Sequence, residues 1–145
     1  MKRMFLGLSL FAFTFVLTAA DDRPAATYIS HEEVATALAK GTPLAMGPDY
    51  RVAGARRTGP GQVEVHDKET DIIYITDGEA TFVSGGKMIG GKQTKADQWL
   101  DTGIQGGDTR HLVKSDVVVV PAGIPHWFKD VPQSINYYLV KVVKP

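Results

Sequence analysis

Beyond position 49, apolar and polar residues alternate over short runs punctuated by glycine, proline and aspartate. Alternation of period two is the signature of strands with one buried face. Residues 50–58 and 62–66 read as strands separated by Gly59-Pro60-Gly61, and residues 71–76 form a β-branched run. Asp77-Gly78 then carries a strong two-residue hairpin signal, with residues 79–84 expected to return. Residues 110–114, 117–120, 126–129 and 135–143 complete about eight or nine short strands, a sandwich or barrel pattern. Val117 to Val120 and Ile72, Ile73 and Ile75 are assigned to its core.

Two segments depart from this rhythm. Ser30-His31-Glu32-Glu33 is a capping box opening a short helix through Val34, Ala37, Leu38 and Ala39, with Gly41 placed for a left-handed cap. His31 lies in the first turn and reads as a solvated surface residue. Gly85 to Asp108 is rich in glycine and charge and reads as a long excursion, a hairpin over one mouth of the barrel. Within it, Gly86, Gly91 and Lys92 have phosphate-loop spacing, but Gln93 stands where a hydroxyl would hold magnesium. The antiparallel strand pattern on either side also lacks the required strand-to-helix context, so that reading is rejected.

The first twenty residues have the organisation of a secretory signal. Lys2 and Arg3 precede an apolar stretch from Met4 to Leu17, and Thr18-Ala19-Ala20 supplies small residues before Asp21-Asp22. The stretch falls short of the ~20 apolar residues of a membrane span. Cleavage after Ala20 is expected, giving a periplasmic or secreted product with no membrane attachment. The domain plan is therefore a signal at 1–20, an N-terminal segment with the helix at 21–48, and one β domain at 49–145. Equal numbers of basic and acidic residues, 16 of each, leave no electrostatic footprint for nucleic acid. Without Lys2 and Arg3, 14 basic residues face 16 acidic ones, a net charge of −2. The chain has no cysteine, which excludes disulfides, thiolate metal sites and cysteine nucleophiles.

Four residues carry the candidate chemistry. Glu64 and His66 share one face of a strand. Asp71 opens the next strand after a short turn and is expected opposite His66 on a paired strand. His126 follows Pro121-Ala-Gly123-Ile-Pro, with Phe128 and Asp130 on its side of the strand. Two imidazoles and two carboxylates are a donor set for a divalent transition metal, with ligand distances near 2.0–2.2 Å. The competing reading is an internal Glu64–His66 ion pair. Either Arg56 or Arg57 points inward by alternation, where it could bind a carboxylate. Phe128 should line the pocket, and His111, opposite an inward Leu112, should be exposed.

At these residues the chain resembles the cupin superfamily. Glu64-Val-His66-(x)4-Asp71-(x)6-Gly78 occupies the frame of the first cupin motif. Ser115-Asp116-(x)4-Pro121-Ala-Gly123-Ile-Pro-His126-(x)3-Asp130 occupies that of the second. The departures are Glu64 in place of the first histidine, Asp71 in place of the glutamate, and Asp130 in place of the asparagine. The resemblance spans roughly residues 50–143 and implies an all-β double-stranded β-helix, or jelly roll, often a homodimer. It permits dioxygenase, isomerase or lyase activity and selects none. The expectation is a small exported metalloprotein in which Glu64, His66, Asp71 and His126 hold Mn, Fe or Zn beside a small-molecule ligand. The alternatives are a non-enzymatic ligand-binding module and an interaction protein that pairs through its edge strands.

Overall fold

A charged pair fixes the register of the longest strand pairing in this protein. The computed structural model describes residues 26–144; the signal assigned to residues 1–20 lies outside them. Among the described residues there is one helix, α1 (His31–Lys40), followed by β1 (Pro43–Met46), β2 (Tyr50–Arg57), β3 (Val63–His66) and β4 (Glu69–Gly78). Next come β5 (Ala80–Ser84), β6 (Lys87–Met88), β7 (Lys92–Lys95), β8 (Gln98–Asp101) and β9 (Ile104–Gln105). β10 (Asp108–Leu112), β11 (Val117–Val120), β12 (His126–Asp130) and β13 (Ile135–Val143) complete the chain. β13 lies between β2 and β4 and pairs antiparallel with both along its length; Lys141 stands opposite Asp71.

Two sheets face each other. One has the order β1-β2-β13-β4-β11 and the other β10-β5-β12-β3-β8-β7, with β6 and β9 forming a separate small ribbon. Alternation along β4 turns Ile73 and Ile75 inward, and along β13 it does the same for Ile135 and Tyr137. They meet Phe82 and Ala80 from β5, Leu112 from β10, Val120 from β11 and Phe128 from β12 in a single core. Burying each large side chain contributes roughly 1.5–3 kcal/mol. The helix forms as its capping box requires: Ser30 accepts from the Glu33 amide, the Glu33 carboxylate accepts from the Ser30 amide, and Gly41 takes the left-handed cap. Ala37 is buried where α1 crosses β2 at Gly54, a position with no room for a side chain.

Several sequence expectations are corrected by the pairing. Asp77-Gly78 is not a hairpin turn. β4 pairs with β11 and β13, whereas β5 pairs with β10 and β12 in the opposite sheet, so the chain changes sheets at this point. Gly78 has φ +77°, and a side chain there would collide with the Ser134 carbonyl. The glycine serves a sheet-to-sheet corner and a close backbone approach, requirements that look like a hairpin in sequence. The 85–108 excursion, by contrast, does hold a hairpin, and about half of it is strand. β7 and β8 form a hairpin that extends the second sheet alongside β3.

Val117 and Val119 are also not core. They lie on the outer face of an edge strand and are more than half exposed, near an exposed Tyr74. Asp130 departs from the side shared by His126 and Phe128, because β12 is bulged between Phe128 and Asp130; it is exposed. Gly78→Ala is expected to destabilise the fold by at least about 2 kcal/mol, through left-handed strain plus a backbone collision. Urea denaturation of the variant against the parent measures it; an unchanged midpoint would show that the corner tolerates a side chain.

Candidate metal centre

The two sheets bring the predicted residues together from opposite walls. Glu64 and His66 point inward from β3, and His126 from the adjacent β12, where it is the register partner of Glu64. Asp71 comes from β4 in the facing sheet, not from a strand paired with β3 as the short connection suggested. A backbone bond from the Gly123 amide to the His66 carbonyl, 2.8 Å long, ties the turn before His126 to β3. His66, Asp71 and His126 are all buried, and Glu64 is half-buried.

Donor atoms converge at the centre. His66 Nε2 lies 3.3 Å from Glu64 Oε2 and 3.7 Å from Asp71 Oδ2, while His126 Nε2 lies 3.5 Å from the same Asp71 oxygen. Donors around one tetrahedral ion at about 2.1 Å would stand about 3.4 Å apart. Glu64, His66 and His126 form one compact three-donor group; His66, Glu69 and Asp71 form a second that shares the imidazole.

Two features of the imidazoles fit a bound cation. His126 Nδ1 is 3.2 Å from the Ile124 carbonyl, and a proton held there on binding a cation would free the Nε2 lone pair, which lies on the Asp71 side, for the ion. His66 Nε2 is buried with no hydrogen-bond partner, although Glu64 Oε2 stands 3.3 Å away. An unsatisfied buried nitrogen costs about 1–3 kcal/mol unless something occupies the space it faces.

The carboxylates, however, already have cationic partners. Arg57 reaches Glu64 Oε1 at 3.2 Å, donates to the Tyr137 hydroxyl at 3.1 Å, and lies over the Phe128 ring. Lys141 Nζ is 2.8 Å from Asp71 Oδ1 and 3.0 Å from Glu69 Oε2. Arg57 is thus the inward arginine of the Arg56/Arg57 pair; Arg56 instead bonds Asn136. Phe128 lines the inner cavity and His111 is exposed beside Glu79, as alternation implied. Glu69, Lys141 and Tyr137 were missed. Their signal was available: residues 69 and 71 share a face, and Lys141 continues the inward series of 135, 137 and 139.

These partners change the electrostatics. Two carboxylates alone would balance the charge of a divalent ion, but Arg57 and Lys141 already offset them. Burial pushes the Glu64 carboxyl up, yet the His66 imidazole, the His126 ring and the Arg57 charge outweigh it and leave it below its ordinary value. For Asp71, burial is likewise overcome by His126 and Lys141. Burial pushes the Tyr137 hydroxyl up, so it stays protonated, able to donate as well as accept.

No family model matches the sequence, and no curated protein does. Solved structures do match its shape. Hydroquinone 1,2-dioxygenase from Sphingomonas sp. TTNP3, with 4-hydroxybenzoate bound, aligns at TM-score 0.57 and 13% identity over 77% of this chain and 73% of that one. KdgF from Halomonas sp. aligns at TM-score 0.52 and 15% identity, over 72% of this chain and 77% of its own. The Cnp3 cupin domain of Schizosaccharomyces pombe aligns at TM-score 0.52 and 12% identity over 71% and 59%. This chain has the cupin fold. At such identities the likeness shows the fold alone, and the chain spans only about half to two thirds of several solved chains. The cupin-fold barrel and its candidate metal-binding group are therefore established by separate observations.

Both carboxyls are depressed, so the stability they confer is present above their ordinary values of 4.5 and 3.8 and is lost as pH falls through the lower folded-state values. Glu64→Gln, which leaves the Arg57 charge without its partner, is expected to cost about 2 kcal/mol at pH 7. Its urea midpoint should also fall less steeply than the parent's below pH 4.5. Parallel curves for the two proteins would remove Glu64 from the acid transition.

Proposed function

We propose that this cupin-fold protein is exported and binds one divalent cation, Mn, Fe or Zn, through Glu64, His66 and His126. Asp71 stands at the border of that set, and a small ligand binds beside it. The observation that carries this reading is the buried, unpartnered His66 Nε2 facing Glu64 and Asp71 oxygens, with His126 Nε2 turned towards the same place. A bound cation would supply Lewis-acid or oxygen-activating chemistry. The chain's own part is to hold the donors: Ile124 fixes the His126 tautomer, Arg57 orients Glu64, and Lys141 orients Asp71. Phe82, Phe128 and Tyr137 pack behind them and keep that side apolar.

A second reading has its own support. Because Arg57 and Lys141 already balance Glu64 and Asp71, the same barrel is also suited to a metal-free, non-enzymatic ligand module. The homodimer implied by the family resemblance would use the outer face near Tyr74, Val117 and Val119, on the free edge of β11.

Metal analysis separates the two main readings. The purified protein, incubated with each ion and desalted, should retain about one equivalent of Mn, Fe or Zn per chain. His66→Ala/His126→Ala should lose it while keeping the parent's circular dichroism. A folded parent that retains none of the three ions decides for the metal-free module. Export is checked by the mass of the mature chain recovered outside the cytoplasm, expected to begin at Asp21.

A further inference from the structure

Two cavities border the candidate metal ligands and a third adjoins one of them, and their sizes differ. The inner one, walled by Phe128, Tyr137 and Leu139, is about 30 Å³ and has room for a water molecule or two. A second, of about 370 Å³, opens beside Glu64 and His66 and is lined by Arg51, Lys68, Lys95 and Lys141. A third, of about 320 Å³, shares Arg51 and Lys141 with the second and is otherwise apolar, formed by Pro43, Ala45, Met46, Val52, Ala53 and Leu139. The outer two are of ligand size. Room for an organic molecule therefore lies on the Arg51–Lys141 side and not in the aromatic interior.

The polar mouth has donors to spare. Glu69 lies between its two cations, with Oε1 3.4 Å from Arg51 and Oε2 3.0 Å from Lys141. Lys141 spends another N–H on Asp71 Oδ1. An ammonium has three donors and a guanidinium five, so both groups keep N–H donors beyond these contacts. The carboxylates of the mouth each face a cation: Glu64 faces Arg57, Glu69 faces Arg51 and Lys141, and Asp97 faces Lys68 at 3.5 Å. Four basic side chains line the mouth against those three carboxylates. The unspent capacity is for an acceptor carrying negative charge, at the rim of an apolar bay.

We propose that the ligand is a small amphipathic carboxylic acid. Its carboxylate sits on Arg51 and Lys141, and its apolar body lies against Ala45, Ala53 and Leu139. This deepens the small-ligand reading of the barrel and rests on it, but not on the metal. Arg51 is a specificity-determining residue: a planar guanidinium suits bidentate carboxylate recognition, and it lies outside the proposed metal set.

The test is calorimetric titration of the purified protein, metal-free and zinc-incubated, with hexanoate and cyclohexanecarboxylate against their amides. Each acid should bind at least about tenfold tighter than its amide. Arg51→Met should abolish that preference without changing metal content. Met46→Glu, at an exposed position on the apolar bay, should weaken the acids while leaving the cations in place. Equal binding of acid and amide, or a preference that survives in Arg51→Met, overturns the proposal. Metal retention without acid preference overturns it alone. Acid preference in a chain that never retains metal sustains it and overturns the metal reading.

Discussion

The Lys141–Asp71 pair is the constraint around which this barrel is arranged. Asp71 is almost wholly enclosed, its side chain 4% exposed, and an uncompensated buried carboxylate would lose several kcal/mol of hydration. Lys141 meets it at 2.8 Å because β13 and β4 are paired with those two residues opposite each other. Slipping that pairing by one residue would turn Lys141, Leu139 and Tyr137 outward together. Charge compensation and core packing thus demand the same register. β13 passes the order on to β2, where Arg57 bonds Tyr137 and reaches across to Glu64 in the facing sheet.

From that register follows a two-sided site. On the inner side, Arg57, Tyr137 and Phe128 hold Glu64 against an aromatic wall with little free volume. On the outer side, Lys141, Glu69 and Arg51 form an ionic rim open to ligand-sized cavities. The imidazoles lie between these two sides. One is tied to a backbone carbonyl and the other has an unsatisfied nitrogen, the kind of local polar deficit that a bound group relieves. Ordering the donors beforehand reduces the reorganisation that binding would otherwise require.

Local chemistry was the most legible part of the sequence. The Ser30–Glu33 box and Gly41 cap define α1 because all of their partners lie within a few residues. Period-two alternation assigned Glu64, His66, His126 and Phe128 to the interior for the same reason. What sequence hid was pairing. Asp77-Gly78 serves a sheet change, and what distinguishes it from a hairpin is distant in sequence: β11 and β13 beside β4, β10 and β12 beside β5, and the Ser134 carbonyl against Gly78. Val117 and Val119 are as apolar as core residues, and only the edge position of β11 exposes them. Asp71 was placed near His66 correctly but on the wrong wall, since four intervening residues fit a crossing to the other sheet as well as a hairpin. Lys141 escaped because its partner lies 70 residues away.

The most direct measurement is a crystal structure of the protein incubated with Mn, Fe or Zn, with data collected at the absorption edge of the ion used. One anomalous peak is expected between the sheets, at about 2.0–2.2 Å from a Glu64 oxygen and from Nε2 of both His66 and His126. A folded barrel with the same side-chain pairs and no peak among those three residues, or a peak only elsewhere on the protein, would contradict the assignment.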